Sequence, residues 1–251
     1  MEPDLQKDLA EQHQPEAIRA RLQRPAEGSY LPDGVLGSID GCVTTFAVVS
    51  GAVGAGFPSA VALVLGFANL VADGFSMAVS NYQSKKTQEE HLDQARRAED
   101  MHIREIPEGE REEIRQIFHR KGFDGEILDR IVDTITRDRN LWIETMLTEE
   151  LGLQKTLLNP MKSAFVTFLA FTGIGAVPLL PFFSVSLSVN TKFGISIALA
   201  GCMFYGIGMI KGIALGKPMI ISGISTLLTG GAAAGLAFAV GYALRQIYTV
   251  I

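Results

Sequence analysis

Three uncharged blocks in the second half of the chain limit its possible folds more than any other feature. They cover 164–191, 193–210 and 218–244, and none of them contains Asp, Glu, Lys or Arg. A helix that crosses a bilayer needs about 20 mostly apolar residues. A further apolar stretch, 35–81, carries only Asp40 and Asp73 as charged residues and is long enough for two spans. The sequence therefore predicts an all-α membrane protein.

Five transmembrane helices account for these blocks. We place them at about 35–56, 58–82, 163–183, 192–214 and 218–245. A glycine-rich turn separates the first two, and Pro58 suits the first turn of a new helix. Pro178 and Pro181 should kink or end the third span, because proline cannot donate a helical hydrogen bond.

The rest of the chain is polar and divides at the same boundaries. The predicted units are a polar, partly helical tail at 1–30, helices one and two at 31–83, a charged helical domain at 84–160, and helices three to five at 161–251. The tail lacks the basic and apolar regions of a cleaved signal peptide. The net charge of −5 gives no reason to expect a nucleic-acid partner.

Basic residues near the spans predict the orientation. Arg19, Arg21 and Arg24 precede the first span, and Lys211 and Lys217 flank the turn between the last two spans. If the N-terminus is cytoplasmic, all five lie on the cytoplasmic side together with the 84–160 domain, in agreement with the positive-inside rule.

The two membrane aspartates lie on polar helix faces. Asn69, Asp73 and Met77 follow one another at four-residue spacing in helix two, and Asp40 and Thr44 share a face of helix one. Ionisable groups at membrane depth usually face a bundle interior or a water-filled path. Carboxylate, amide and hydroxyl oxygens suit hard cations, and a thioether favours late first-row metals. These five residues therefore predict a cation path. The alternatives are a pair of satisfied structural carboxylates or, for Asp40, a residue near the start of its span that reaches the interface.

An enzyme is a further alternative, because two membrane aspartates could share a proton as an aspartyl dyad. Intramembrane aspartyl proteases carry Gly-x-Gly-Asp at the second aspartate. Here the sequence before Gly74 reads Val71-Ala72-Asp73, so we do not expect an enzyme.

The charged domain offers metal ligands at helical spacing. The helix of the second span should continue into this domain as far as Pro107, where a second helix begins. Gly122 should end that second helix, Asp124 should cap a third, and a fourth carries Trp142. Three pairs of ligand-type residues each share one helix face: Glu99 and His102, Glu110 and Glu113, and Met146 and Glu150. The domain is rich in acids everywhere, so a solvated surface is the better explanation for any single glutamate, and the three pairs together are what favours a metal site.

The chain resembles the vacuolar iron transporter family in four segments. The residues that carry the resemblance are DGCVTTFAVVSG at 40–51, NLVADGFSMAVSNYQS at 69–84, PEGEREEI at 107–114 and MLTEELGL at 146–153. The family implies a five-helix homodimer that moves Fe²⁺, and often Mn²⁺, out of the cytosol in exchange for protons. It also implies roles for Asp40 and Met77 in the membrane path, and it assigns a cytoplasmic metal site to Glu99, Glu110, Glu113, Met146 and Glu150.

The chain departs from the family pattern at four positions. Asn69 and Ser225 stand where acids are common, which puts the proton stoichiometry in doubt. His102 replaces a glutamate, and Leu147 replaces a second methionine. Imidazole suits Zn²⁺ and Co²⁺ as well as Fe²⁺, so the metal preference is open.

The sequence thus predicts a homodimeric transporter of divalent metal with no permanent cofactor, and its partners are metal ions, protons and membrane lipid. A membrane-anchored metal sensor or scaffold that does not transport is the alternative. The membrane would be the plasma membrane of a bacterium, or otherwise a vacuole or another organelle.

Overall fold

A computed structural model describes residues 10–23, 28–154 and 158–248, and every regular element within them is helical. The principal elements are α1 Pro15–Gln23, α2 Leu31–Gly54, α3 Ser59–Glu105, α4 Pro107–Arg120, α5 Gly125–Arg137, α6 Arg139–Glu149, α7 Pro160–Gly175, a 3₁₀ helix Val177–Phe183, α8 Val189–Ala214 and α9 Met219–Tyr248. The predicted tail, 1–30, includes α1 but lies partly outside the described residues.

Four of these helices, α2, α3, α8 and α9, are long and apolar enough to cross a membrane. A fifth crossing results if α7 and the following 3₁₀ helix count as one span, bent by 40°. Pro178 and Pro181 both lie in the 3₁₀ helix, so the predicted interruption of the third span occurs just before the first proline. The cause is the missing N–H of proline together with its restriction of the residue that precedes it.

The α2 helix lies at the centre of the apolar bundle and contacts α3, α7, α8 and α9. Glycine allows its two closest crossings. A Cβ atom on Gly41 would lie 2.3 Å from the backbone oxygen of Phe171 in α7, and one on Gly241 in α9 would lie 2.2 Å from that of Gly51. Any side chain at either position would force the helices apart. Small residues at such close contacts are typical of helices that pack in lipid.

Two basic residues mark one end of the bundle. Lys192, which is buried, donates a hydrogen bond from Nζ to Ser59 Oγ at 3.2 Å. The guanidinium group of Arg245 lies against Gly56, in the turn between α2 and α3. The opposite end is where α3 continues beyond its apolar half, without interruption, as far as Glu105.

The polar half of α3 packs with α4, α5 and α6 around a second apolar core. Fully buried members include Ile114, Val132, Met146 and Leu147, and the only tryptophan, Trp142, is 7% exposed. We refer to residues 84–154, which contain these elements, as the insert.

Two large apolar side chains of the insert lie outside this core. Ile127 is 63% exposed and Phe123 is 39% exposed. Leu128, Val132 and Ile135 are the buried residues of α5, spaced by four and three, so they form one face of the helix. Ile127 is one residue off that face and therefore points outward.

Helix caps in the insert also differ from expectation. Asp124 stands at the N-cap position of α5 but accepts no capping hydrogen bond. Its carboxylate lies 2.7 Å from His119 Nδ1 instead. The capping carboxylate is Asp138, which accepts from the backbone N–H groups of Asn140 and Leu141 at the start of α6.

Candidate metal centre

Three predicted ligands meet where α3 turns into α4. Glu99 and His102 lie one turn apart on α3, the helix ends at Glu105, and Glu110 lies in the first turn of α4. One ligand atom from each side chain can be chosen so that all three atoms lie within 4.8 Å of one another. His102 Nδ1 lies 3.4 Å from Glu110 Oε1. The short connection at Pro107 reverses the chain and brings the two helices' polar faces together.

Both carboxylates of this cluster are buried and incompletely bonded. Glu99 is 4% exposed and Glu110 is 2% exposed. The Oε2 atom of each is buried and has no hydrogen-bond partner in the described part of the chain. An unpaired buried carboxylate is costly. A cation held between the two groups would remove that cost, so the donor set fits a metal ion.

Two further predicted ligands, Glu113 and Glu150, border the cluster from more exposed positions. Burial raises the pKa of Glu110 to about 7, and the negative charges of Glu113, Glu99 and Glu150 contribute to the increase. Burial also raises the pKa of Glu99, and the pKa of Glu150 is raised by burial and by the charges of Glu113 and Glu99. Neighbouring negative charges therefore destabilise the charged forms of Glu99, Glu110 and Glu150.

Most lysine and arginine side chains of the insert pair with other acids. The pairs are Arg96 with Glu144, Arg104 and Arg139 with Asp100, Arg111 with Asp133, Arg115 with Asp129 and Glu112, Lys121 with Glu149, and Arg130 with Glu126. Within the described residues, no lysine or arginine forms an ion pair with Glu99, Glu110, Glu113 or Glu150. In the described part of the chain, His102 is thus the basic side chain that lies beside this cluster.

Met146 occupies a different environment from the one expected of a ligand. It is fully buried in the apolar core, among residues that include Ile114 and Leu147. Glu150, one turn later, stands just after α6 ends and is exposed. A contact of the Met146 sulfur with the metal stays a prediction, and its packing role in the core is clear.

The membrane aspartates lie on neighbouring helices. Asp40 in α2 and Asp73 in α3 are both half-buried, and their carboxylates are close enough to interact electrostatically. Met77, one turn beyond Asp73, packs at the edge of an apolar cluster that includes Leu70 and Phe171. The α2–α3 pair therefore presents two carboxylates and a thioether, which together could bind a divalent cation of intermediate softness.

The other two predicted path residues differ from each other. The Nδ2 atom of Asn69 is buried and has no hydrogen-bond partner among the described residues. The Thr44 hydroxyl donates to the backbone oxygen of Asp40 at 2.8 Å. That bond holds the Thr44 side chain along its own helix, so only its lone pairs remain free for a cation.

One buried polar cluster was not anticipated from the sequence. Asp33 in α2, Asn81 in α3 and Thr167 in α7 are joined by hydrogen bonds through the Asn81 amide. A signal was present: Asp33 precedes Asp40 by seven residues, or two helical turns, and Asn81 follows Met77 by one turn.

Comparisons with known proteins identify the family of the chain. The chain matches the VIT family over residues 31–242. It is 29% identical over 220 residues to vacuolar iron transporter 1 of Oryza sativa subsp. japonica, with 87% of this chain and 86% of the relative covered. Vacuolar iron transporter 2 of the same plant is 30% identical over 222 residues, covering 88% of this chain and 89% of its own. A vacuolar iron transporter of Toxoplasma gondii is 29% identical over 227 residues, which cover 87% of this chain and 75% of the relative. Since the matched region includes both the apolar helices and the insert, the chain belongs to the VIT family.

Proposed function

We propose that this protein transports Fe²⁺, and also Mn²⁺, across a membrane, from the cytosol to the opposite side and in exchange for protons. The observation that carries the proposal is the cluster of four acids around His102, which among the described residues has two buried unpaired oxygens and no lysine or arginine partner. The relatives named as vacuolar iron transporters support iron as the substrate.

The insert collects the metal in this proposal. Glu99, His102 and Glu110 provide the inner ligands, and Glu113 and Glu150 attract the ion and complete its coordination. Carboxylates with one imidazole suit Fe²⁺, Mn²⁺, Zn²⁺ and Co²⁺ alike. Binding is favourable because a divalent ion removes the mutual repulsion of the acids and replaces the hydrogen bonds that their buried oxygens lack.

The membrane helices carry the metal in a second step. The ion passes between α2 and α3, where Asp40, Asp73 and Met77 replace part of its water shell and Asn69 and Thr44 line the same faces. A carboxylate in a low-dielectric environment is most stable when it holds either a proton or a metal ion. Alternation of Asp40 and Asp73 between these two states would couple metal movement in one direction to proton movement in the other.

The orientation and assembly belong to the same proposal. The N-terminus and the insert lie in the cytoplasm, in agreement with the position of Lys211 and Lys217 at the α8–α9 turn. Two copies form a dimer through their membrane helices, where apolar side chains such as Leu228, Leu236 and Val240 of α9 are exposed. The membrane belongs to an organelle such as a vacuole, or is the plasma membrane if the chain is bacterial.

The test is metal flux through the purified protein. Full-length protein is reconstituted into vesicles that contain a fluorescent Fe²⁺ indicator in one set and a pH indicator in another, under anaerobic conditions. We expect Fe²⁺ to enter and the pH of the lumen to rise as protons leave. Metal binding to the protein with no flux above that of empty vesicles would instead establish a membrane-anchored sensor or scaffold.

A further inference from the structure

We propose that Asp33, Asn81, Thr167 and Ser163 form a separate divalent-cation site, made of oxygen ligands only, at the end of the bundle nearest the insert. The role given to it, a stop between the insert and Asp40, depends on the proposed transport function. Its ability to bind a cation does not.

The four residues come from three helices that meet at one point. Asn81 Nδ2 donates to Asp33 Oδ1 at 3.1 Å and to Thr167 Oγ1 at 2.8 Å. Thr167 in turn donates its hydroxyl proton to the backbone oxygen of Ser163 at 3.0 Å. A single amide nitrogen therefore occupies the space between a carboxylate oxygen of α2 and a hydroxyl oxygen of α7.

Two more oxygens in this cluster are buried and unpartnered. Asp33 is 5% exposed and Ser163 is fully buried. Neither Asp33 Oδ2 nor Ser163 Oγ has a hydrogen-bond partner within 10–23, 28–154 and 158–248. No basic residue forms an ion pair with Asp33 in these parts of the chain, so its negative charge is buried beside neutral groups. A bound cation would compensate for that charge and coordinate the free oxygens.

A purely local role does not account for the burial of Asp33. Asp33 lies in the first turn of α2, where an acid is favoured by the helix dipole. An exposed aspartate would provide the same effect with both oxygens hydrated. The enclosure of the carboxylate by α3 and α7 adds a desolvation cost that the dipole does not require.

The amide of Asn81 allows the cluster to exchange a hydrogen bond for a ligand. In the unliganded arrangement its –NH₂ group links two oxygens that would otherwise repel each other. Rotation of the amide by a half turn would place Oδ1 in the same space, and Asp33, Asn81 and Thr167 would then each direct an oxygen at one point. The three helices are thus joined by a hydrogen-bonded amide without the ion and by the ion itself when it is bound.

The position of the cluster fits a stop on the way into the membrane. Asp33 lies two turns before Asp40 on α2, and Asn81 lies one turn after Met77 on the antiparallel α3. Both displacements lead toward the polar half of α3 and hence toward Glu99 and His102. An ion that leaves the insert would therefore meet Asp33 before it meets Asp40.

The chemistry of this site differs from that of its neighbours. It contains no imidazole and no thioether, whereas the insert has His102 and the deeper path has Met77. All-oxygen coordination suits Mg²⁺ and Mn²⁺ better than Zn²⁺ or Cu²⁺. The site should therefore hold Mn²⁺ in preference to softer ions.

The experiment counts bound Mn²⁺ by electron paramagnetic resonance, in which free aqueous Mn²⁺ gives the signal. Full-length protein in detergent carries Glu99→Gln and Glu110→Gln so that the insert does not contribute. Asp33→Asn in this background should lower the number of bound ions by one, or weaken one ion's binding at least tenfold. Thr167→Val should weaken the binding of the same ion by a smaller factor, because it removes a neutral ligand.

Thr172→Val is the matched control. Thr172 lies on the same helix and donates its hydroxyl proton to the backbone oxygen four residues earlier, at 2.7 Å compared with 3.0 Å for Thr167, but it is not bonded to Asn81. Its substitution should leave Mn²⁺ binding unchanged. If Asp33→Asn does not fold, the comparison of Thr167→Val with Thr172→Val decides. Equal Mn²⁺ binding in the background, Asp33→Asn and Thr167→Val proteins would overturn the site, whether or not the protein transports iron.

Discussion

His102 Nδ1 and Glu110 Oε1 lie 3.4 Å apart across the turn that joins α3 to α4. A protonated imidazole in this position would neutralise Glu110, and a neutral imidazole would leave its nitrogen free for a metal ion. In the proposed metal site, a proton and a metal ion would therefore compete for the same position. This pair would then connect the electrostatics of the insert to the metal selectivity proposed for it.

The first prediction concerns that selectivity. His102→Glu should weaken Zn²⁺ binding relative to Mn²⁺ binding, because a carboxylate replaces a nitrogen ligand that Zn²⁺ favours. It should also shift the pH dependence of binding downward, since an unperturbed histidine titrates near 6.5 and a glutamate near 4.3. Both metals are titrated into wild-type and variant protein at about pH 7.2 and about pH 5.8. Affinity ratios that are the same in both proteins at both pH values would show that His102 is not a ligand.

The second prediction concerns the stability of the metal-free insert. The folded-state pKa of Glu110 is raised from 4.5 to about 7, so the folded protein binds its proton more tightly than the unfolded chain does. Stability from this group is therefore greatest below about pH 4.5 and is lost as pH rises through 7. Metal-free wild-type protein should unfold at a lower temperature at pH 8 than at pH 6, and Glu110→Gln should reduce the difference.

Trp142 provides the measurement for this second prediction. It is the only tryptophan and lies in the core of the insert, so its fluorescence reports the unfolding of this part of the protein. Saturating Mn²⁺ should raise the wild-type unfolding temperature at pH 8 more than that of Glu110→Gln. An unfolding temperature that changes between pH 6 and pH 8 to the same extent in the wild type and in Glu110→Gln would contradict the role of Glu110.

The third prediction compares two glutamates on α4. Glu110→Gln should weaken metal binding by about tenfold or more, equivalent to at least about 1.4 kcal/mol, because it removes a charged ligand from a buried cluster. Glu112→Gln, two residues away, is the control: Glu112 is exposed and lies beside Arg115. Its substitution should have little effect. Binding is measured by anaerobic calorimetry on the full-length protein. Equal losses of metal affinity in the two variants would show that the cluster attracts the ion only through general surface charge.

The fourth prediction concerns the thioether in the membrane. Met77→Leu keeps the apolar volume that packs near Leu70 but removes the sulfur, so the protein should fold while Fe²⁺ flux falls severely. Met203→Leu on α8 is the control, since Met203 packs against another apolar cluster, among residues such as Phe204. Flux through Met77→Leu at the level of Met203→Leu would remove the sulfur from the mechanism.

The helices could be predicted because their signals are local. The uncharged blocks, Pro58, Pro107 and Gly122 together indicate the spans and most helix ends, and the structure places the helices within a few residues of those positions. The exposure of Ile127 could not be predicted in the same way. A single helix face can be inferred from spacing, but the side that faces the core depends on how α5 packs on α4 and α6.

The candidate site was only partly predictable for a similar reason. Spacing groups Glu99 with His102 and Glu110 with Glu113, each pair on its own helix. The meeting of Glu99 with Glu110 depends on the reversal at Pro107, and the lack of basic partners depends on which arginines the other acids hold. Asp33 and Asn81 were missed because their hydrogen bonds join residues on different helices, 48 positions apart for Asp33 and Asn81 and 86 positions apart for Asn81 and Thr167.

The central claim is that the insert captures the metal and the membrane helices pass it on. The most direct measurement is Fe²⁺ flux into vesicles as a function of Fe²⁺ concentration for wild type, Glu110→Gln and Asp40→Asn. We predict that Glu110→Gln loses flux at low concentration and regains the wild-type rate at high concentration, because only capture is weakened. Asp40→Asn should stay slow at every concentration. Wild-type flux in Asp40→Asn, or a loss in Glu110→Gln that high Fe²⁺ does not restore, would contradict this division of roles.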